Sequence, residues 1–305
     1  MKRDTMIEYR YDGTLAGIFT VLDRICRAAD PEAALPDRVR APLRRAWKTR
    51  PGGAALSADT ASPAQPDLFG EIPASSAEAI RTGLSAGLSP PDIPAAQNLY
   101  GLSAGAYDCF IHGWMSELPI EAELIRFARK VLDAGRTAAG GLSSPEAREK
   151  AEAAAADRGD PDVQTVLSAA GKVWKELDRL RGLLRFSPDS SGIYLARCTP
   201  DHFVLPGLAD HFTLRFGETP WAILDERRSL ALVRPSGEET RLITLDALPY
   251  PIAVPGRTGS GKNDTWEELW RNYHRVINNE SRNNPRLQRQ CMPSRYRKYL
   301  PEVQE

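Results

Sequence analysis

The sequence predicts an α+β protein in which helical regions flank a small, mostly antiparallel β-α-β-β-β unit. Three observations predict it. From Ser75 to about Phe186, apolar residues recur at the three- and four-residue spacing of helices that bury one face. From Ile193 to Leu245 the pattern changes to short β-branched and apolar runs broken once by a helical stretch. Beyond Thr265 helical spacing returns, now among basic residues.

In chain order, Met6 to Arg10 reads as a short strand and Tyr11-Asp12-Gly13-Thr14 as a turn. An amphipathic helix follows over Leu15 to Ala29. Arg38 to Arg50 reads as a basic helical piece, with Arg40, Arg44, Arg45 and Lys48 around Leu43 and Trp47. Pro51 to Pro73 is rich in Gly, Ala, Ser and Pro, the composition of a flexible insertion. Ala122 to Ala134 and Thr165 to Leu184 are the clearest helices, and the Ala-rich stretch Pro145 to Ala156 reads as a partly exposed one.

The β-rich unit opens with a strand at Ile193 to Cys198 and a helix at Leu205 to Phe216. Strands at Trp221 to Leu224, Ser229 to Arg234 and Thr240 to Leu245 complete it, the last two forming a hairpin across Ser236-Gly237. This divides the chain into N-terminal strand and helices (1–50), linker (51–74), helical region (75–186), β-α-β-β-β unit (187–255) and basic C-terminal helical segment (256–305).

Composition narrows the function. The chain has 305 residues, 26% charged and 42% hydrophobic, with 40 basic against 40 acidic side chains. That describes an ordinary globular protein able to bury a core. The start, MKRDTMIEYRYDG, holds no signal-peptide core, and no run of about twenty apolar residues marks a membrane span. A cytoplasmic location is expected. Cys26, Cys109, Cys198 and Cys291 lie far apart with no CxxC pair, so neither a metal site nor any other cofactor is expected.

The charge balance fails at one end. Arg271 to Tyr299 carries eight Arg or Lys and one acid, Glu280. Thr265 and Glu268 form a capping-box pattern for a helix starting at Trp266. On it Trp266, Leu269, Trp270, Tyr273 and Ile277 share one side, while Arg271, Arg275, Asn278 and Arg282 share the other. Asn283-Asn284-Pro285 ends the helix. Two basic pieces follow, Arg286 to Cys291 and Ser294 to Tyr299. Arginines interleaved with aromatics suit phosphate contact and base stacking. Arg271, Arg275, Arg282, Arg286, Arg289, Arg295, Arg297 and Lys298 are the candidate phosphate contacts, with Tyr296 and Tyr299 as stacking residues. The competing reading is a solvated helix face and a basic tail docked on acidic residues of the fold.

Other motifs carry less. Gly256-Arg-Thr-Gly-Ser-Gly-Lys262 matches part of a phosphate-binding loop, but Asn263 replaces the hydroxyl residue and three prolines precede it. Asp201-His202 and Asp210-His211 are acid–base candidates, although sequence neighbours point in different directions. Asp225-Glu226-Arg227-Arg228 reads as a charged turn. Arg179 to Phe186 places basic residues at a helix C-terminus, where the dipole favours them. Glu280, near the apolar side of the basic helix, is read as a salt-bridge partner of a neighbouring Arg, with a catalytic carboxylate as the alternative.

These pieces resemble a bacterial family of probable DNA-metabolism proteins, also described as domain of unknown function 4130. The resemblance extends over nearly the whole chain outside Pro51 to Pro73. It rests on Tyr11-Asp12-Gly13-Thr14 with Gly17, on Arg179-Leu-Arg-Gly-Leu-Leu-Arg-Phe186, and on Pro200 with His202. It continues through His211-Phe212 with Arg215-Phe216, Leu269-Trp270 with Tyr273, and Arg282-Asn-Asn-Pro285. At the end it includes Leu287-Gln288, Met292-Pro-Ser-Arg-Tyr296 and Tyr299-Leu-Pro-Glu302.

The resemblance implies association with DNA and a radical SAM protein as partner; any uracil-DNA glycosylase that joins them would be a separate polypeptide. The chain lacks CxxxCxxC, so cluster chemistry would belong to the partner. Asp178 stands where relatives tend to have His, Leu224 where Ile-His-Asp is common, and Arg297 where an aromatic often follows Tyr296. The expected function is a DNA-binding accessory protein of DNA repair or modification. The alternatives are a glycosylase- or nuclease-like enzyme and a protein-docking adaptor that does not touch DNA.

Overall fold

The computed structural model describes residues 8–28, 38–40, 88–188, 192–245, 272–273, 275–276, 284, 286–287 and 292–300. The expected turn at Tyr11 to Thr14 is the N-cap of α1 (Leu15–Arg27). Thr14 Oγ1 accepts from the Gly17 N–H at 2.9 Å. Asp12 Oδ1 accepts from the Thr14 N–H at 2.9 Å and from its hydroxyl at 2.7 Å. Gly17 leaves room for this arrangement, since a Cβ there would overlap the Asp12 carboxylate.

β1 (Glu8–Arg10) pairs in parallel with β2 (Arg38–Arg40), Tyr9 facing Val39. The helix expected from Arg38 thus begins as a strand, because pairing satisfies backbone groups that β1 alone leaves open. The remainder of that expected helix, 41–50, the insertion at 51–73 and the glycine-rich loop at 256–262 lie outside the described residues.

Five helices follow: α2 (Pro94–Leu102), α3 (Ala104–Met115), α4 (Glu121–Arg136), α5 (Pro145–Ala155) and α6 (Pro161–Leu183). Ser103, Ser144 and Asp160 cap α3, α5 and α6 through side-chain oxygens. α3 packs on α6 and α4 on α5, burying Phe110, Trp114, Phe127 and Val173 around Phe19 of α1. The alanines Ala147 and Ala151 of α5 are fully buried, which lets that helix lie close to α4.

The five-stranded sheet runs β3-β4-β5-β6-β7, from Ser187–Pro188, Tyr194–Cys198, Trp221–Asp225, Leu230–Arg234 and Arg241–Thr244. β4 and β5 are parallel and the other pairs antiparallel. The α+β class holds, with a mixed sheet: the one parallel pair requires a crossover, and α7 (Leu205–Phe216) provides it. β3 is an extra edge strand that its proline hides from sequence patterning.

α7 packs on β5 and β6 and against α6. Gly207 permits that approach, since a Cβ there would lie 2.9 Å from Leu177 Cδ2. Phe186, just past α6, stacks on Phe212 and Phe216 at 5.0 and 4.7 Å, and Phe212 meets Trp221 of β5 at 6.1 Å. The short helix α8 (Ser294–Arg297) returns the C-terminal segment to this body, with Tyr296 joining the main core.

Candidate functional site

The centre of the molecule's polar chemistry is Glu176, a residue on α6 that is 2% exposed. Its spacing places it on the buried stripe of Val166, Ala169, Val173, Leu177 and Leu180. A lone buried carboxylate is costly unless donors surround it. Four do. Oε1 accepts from the Asp201 N–H at 2.8 Å, Arg295 Nη2 at 2.9 Å and the Tyr296 hydroxyl at 2.5 Å. Oε2 accepts from the His202 N–H at 2.7 Å. Burial pushes the Glu176 carboxyl up, but Tyr296, the two backbone amides and Arg295 together hold it below the usual carboxylate range.

Arg228 clamps the same loop from its other side. It donates to the carbonyls of Pro200 and Asp201 at 3.1 and 2.9 Å. It also pairs with Asp225 at 2.7 Å and with Glu117 at 2.9 Å. The expected charged turn at Asp225 to Arg228 is therefore half interior: Asp225 is 0% and Arg228 6% exposed. Burial raises the Asp225 carboxyl, with Arg228 and the Arg227 and Arg228 amides acting against it. A carboxylate takes the loop's amides and a guanidinium takes its carbonyls, so the peptide dipoles of residues 200–202 are met at both ends.

This geometry fixes the roles of the acid–base candidates. His202 Nδ1 accepts from the Glu117 N–H at 3.2 Å, which leaves the ring hydrogen of the neutral form on Nε2. Burial lowers the His202 pKa, and Glu176 and Asp201 oppose the shift without overcoming it. Asp201 pairs with Arg227 at 3.2 Å and Arg295 at 2.8 Å. Asp210 is exposed, and His211 packs edge-on to Phe212 at 4.8 Å. Among the described residues no group of His, Cys, Asp or Glu is arranged to hold a metal. No described helix is long and apolar enough to cross a membrane.

The basic C-terminal residues fall into two sets. Arg295 and Tyr296 point inward to Glu176. The Tyr296 ring is 2% exposed, buried in the core and turned away from solvent. Lys298 and Tyr299 reach Glu226 at 3.5 and 2.6 Å, and Arg197 joins them at 3.3 Å. Arg297 is half-buried. Tyr273, expected to pack on the body, is 55% exposed. Arg275 and Arg286 are exposed on helical backbone, and neither pairs with a carboxylate among the described residues. Asn284 Oδ1 accepts from the Leu287 N–H at 3.0 Å and so caps the turn that carries Arg286. Arg271, Arg282, Arg289 and Glu280 lie outside the described residues.

Glu176 was not among the residues the sequence singled out. Its signal was a charged residue in register with an apolar stripe.

A family model described as domain of unknown function DUF4130 matches residues 143–302, from the turn before α5 through the docked tail. The Tyr11 to Thr14 cap lies outside that span. No curated protein and no solved structure matches the chain.

Proposed function

The chain belongs to the DUF4130 family, and we propose that it is a DNA-binding accessory protein of DNA repair or modification. In this reading it works beside a radical SAM partner, with a uracil-DNA glycosylase as a further associate. The observation that carries the reading is the division within the basic segment. Arg295 and Lys298 are held by Glu176, Asp201 and Glu226, whereas Arg275 and Arg286 stand exposed without a described carboxylate. Docking the tail fixes one end of the segment and leaves these guanidiniums available to phosphate, the ligand their planar fork suits best. Base stacking falls to Tyr299 alone in this scheme, since Tyr296 is interior.

The acid–base residues favour the accessory role over an enzymatic one, because Glu176, Asp201 and His202 spend their lone pairs holding the fold. The test is DNA binding measured against salt. Changing Arg271, Arg275 and Arg282 together to Gln should weaken binding and flatten the salt dependence by about 2.7 in log–log slope. Unchanged affinity and slope would remove the proposal. Co-purification of the full chain with the radical SAM protein, wild type against the Arg271, Arg275 and Arg282 variant, separates DNA contact from partner docking.

A further inference from the structure

We propose that the joined ends of α6 and α7 form a second phosphate-binding face, built by Arg181 and Arg215 beside His211, for the nucleic-acid backbone. This rests on the DNA-binding reading and extends it from the C-terminal segment to the folded body. Two stretches distant in sequence meet here. Phe186 from one and Phe212 and Phe216 from the other interlock beneath the surface, which fixes both helix ends. Their polar residues emerge above that cluster.

On α7, His211, Leu214 and Arg215 share one face. Arg215 is exposed and Leu214 is 85% exposed. Arg181 comes from the last turn of α6, its side chain 40% exposed. The His211 Nε2 atom is shielded from solvent and has no hydrogen-bond partner among the described residues. α6 and α7 approach closely at Leu177 and Gly207, and Arg181 and His211 each lie one turn further along their helices; burial first, then the charges of Arg181 and Arg215, lowers the His211 pKa. The acidic neighbours are Asp178, Asp210 and Glu218, all exposed. Asp178 pairs with Arg181 at 3.1 Å across open surface, a contact weak enough for a phosphate to displace. Leu214 offers an apolar contact for a sugar or base edge alongside.

The experiment measures binding of a labelled DNA duplex, and of one of its strands, to the whole chain across a salt series. Arg181→Gln with Arg215→Gln should weaken binding on the order of tenfold and flatten the slope by about 1.8, the value for two lost phosphate contacts. Arg181→Lys with Arg215→Lys should keep the wild-type slope. Thermal unfolding at the wild-type midpoint confirms that the exposed changes leave the fold intact. If the Gln pair binds with wild-type affinity and slope while the Arg271, Arg275 and Arg282 variant is weakened, this face is overturned and the tail reading stands. Weaker binding with an unaltered slope also overturns it, because no phosphate contact was lost. If the wild type shows no salt-dependent binding, both readings fall.

Discussion

Tyr296 donates its phenolic hydrogen to Glu176 at 2.5 Å across 120 positions of sequence. The contact lies inside the main core, and burial together with the Glu176 charge pushes the phenol well up, keeping it a donor. Tyr296→Phe is expected to cost about 2 kcal/mol in urea unfolding, the range for a hydrogen bond to a charged acceptor. Glu176→Leu should cost less than Glu176→Ala, because it refills the stripe while both strand the Arg295 guanidinium and the two backbone amides. A double-mutant cycle of the two positions should show coupling.

Acid should loosen the same joint. The folded pKa of Glu176 lies below its ordinary 4.5, so its contribution is complete above that value and is lost as pH falls through the folded one. Asp225, raised by burial, acts in the opposite sense. The measurement is therefore the stability difference between wild type and Glu176→Gln, which should shrink as pH drops through the carboxylate range. A difference that stays constant would contradict the assignment.

Arg228 is the other half of the clamp. Arg228→Met leaves Asp225 buried and unpaired and should cost about 3–5 kcal/mol. Replacing Asp225 by Leu in the same chain should recover part of that loss, because the stranded charge is then gone. Chemical denaturation of both variants tests this.

Gly17→Ala should destabilise the protein by about 1 kcal/mol even though alanine is the better helix former. The new Cβ would displace the Asp12 carboxylate from Thr14 and undo the cap of α1. A thermal midpoint unchanged or raised would contradict it.

Glu226→Gln removes the acid that Lys298, Tyr299 and Arg197 all reach. If the C-terminal segment meets DNA, losing this negative charge should strengthen binding at low salt, read in the same titration.

Much of the fold was legible because periodicity reports burial directly. The α7 helix begins and ends where its apolar spacing does, and the short apolar runs at Trp221 and Leu230 mark adjacent strands. Arg38 to Arg40 was misread as helix, since three residues carry too little pattern to reveal a partner strand. The site was harder. A charged tetrapeptide at Asp225 to Arg228 looks solvated until the loop at Pro200 to His202 folds over two of its members. Basic aromatic tails look alike whether their arginines meet phosphates or internal carboxylates, and only the position of Glu176 on a buried stripe separates Arg295 from Arg275.

A ribosome delivers Glu176 well before Tyr296 and Arg295. During that interval the helix carrying the carboxylate has only backbone amides to shield it, and the hydrophobic seam beside it stays open. Closure of the body is consequently a late event in synthesis, and a nascent chain stalled before Pro293 should be held by chaperones or cut by proteases that spare the finished protein.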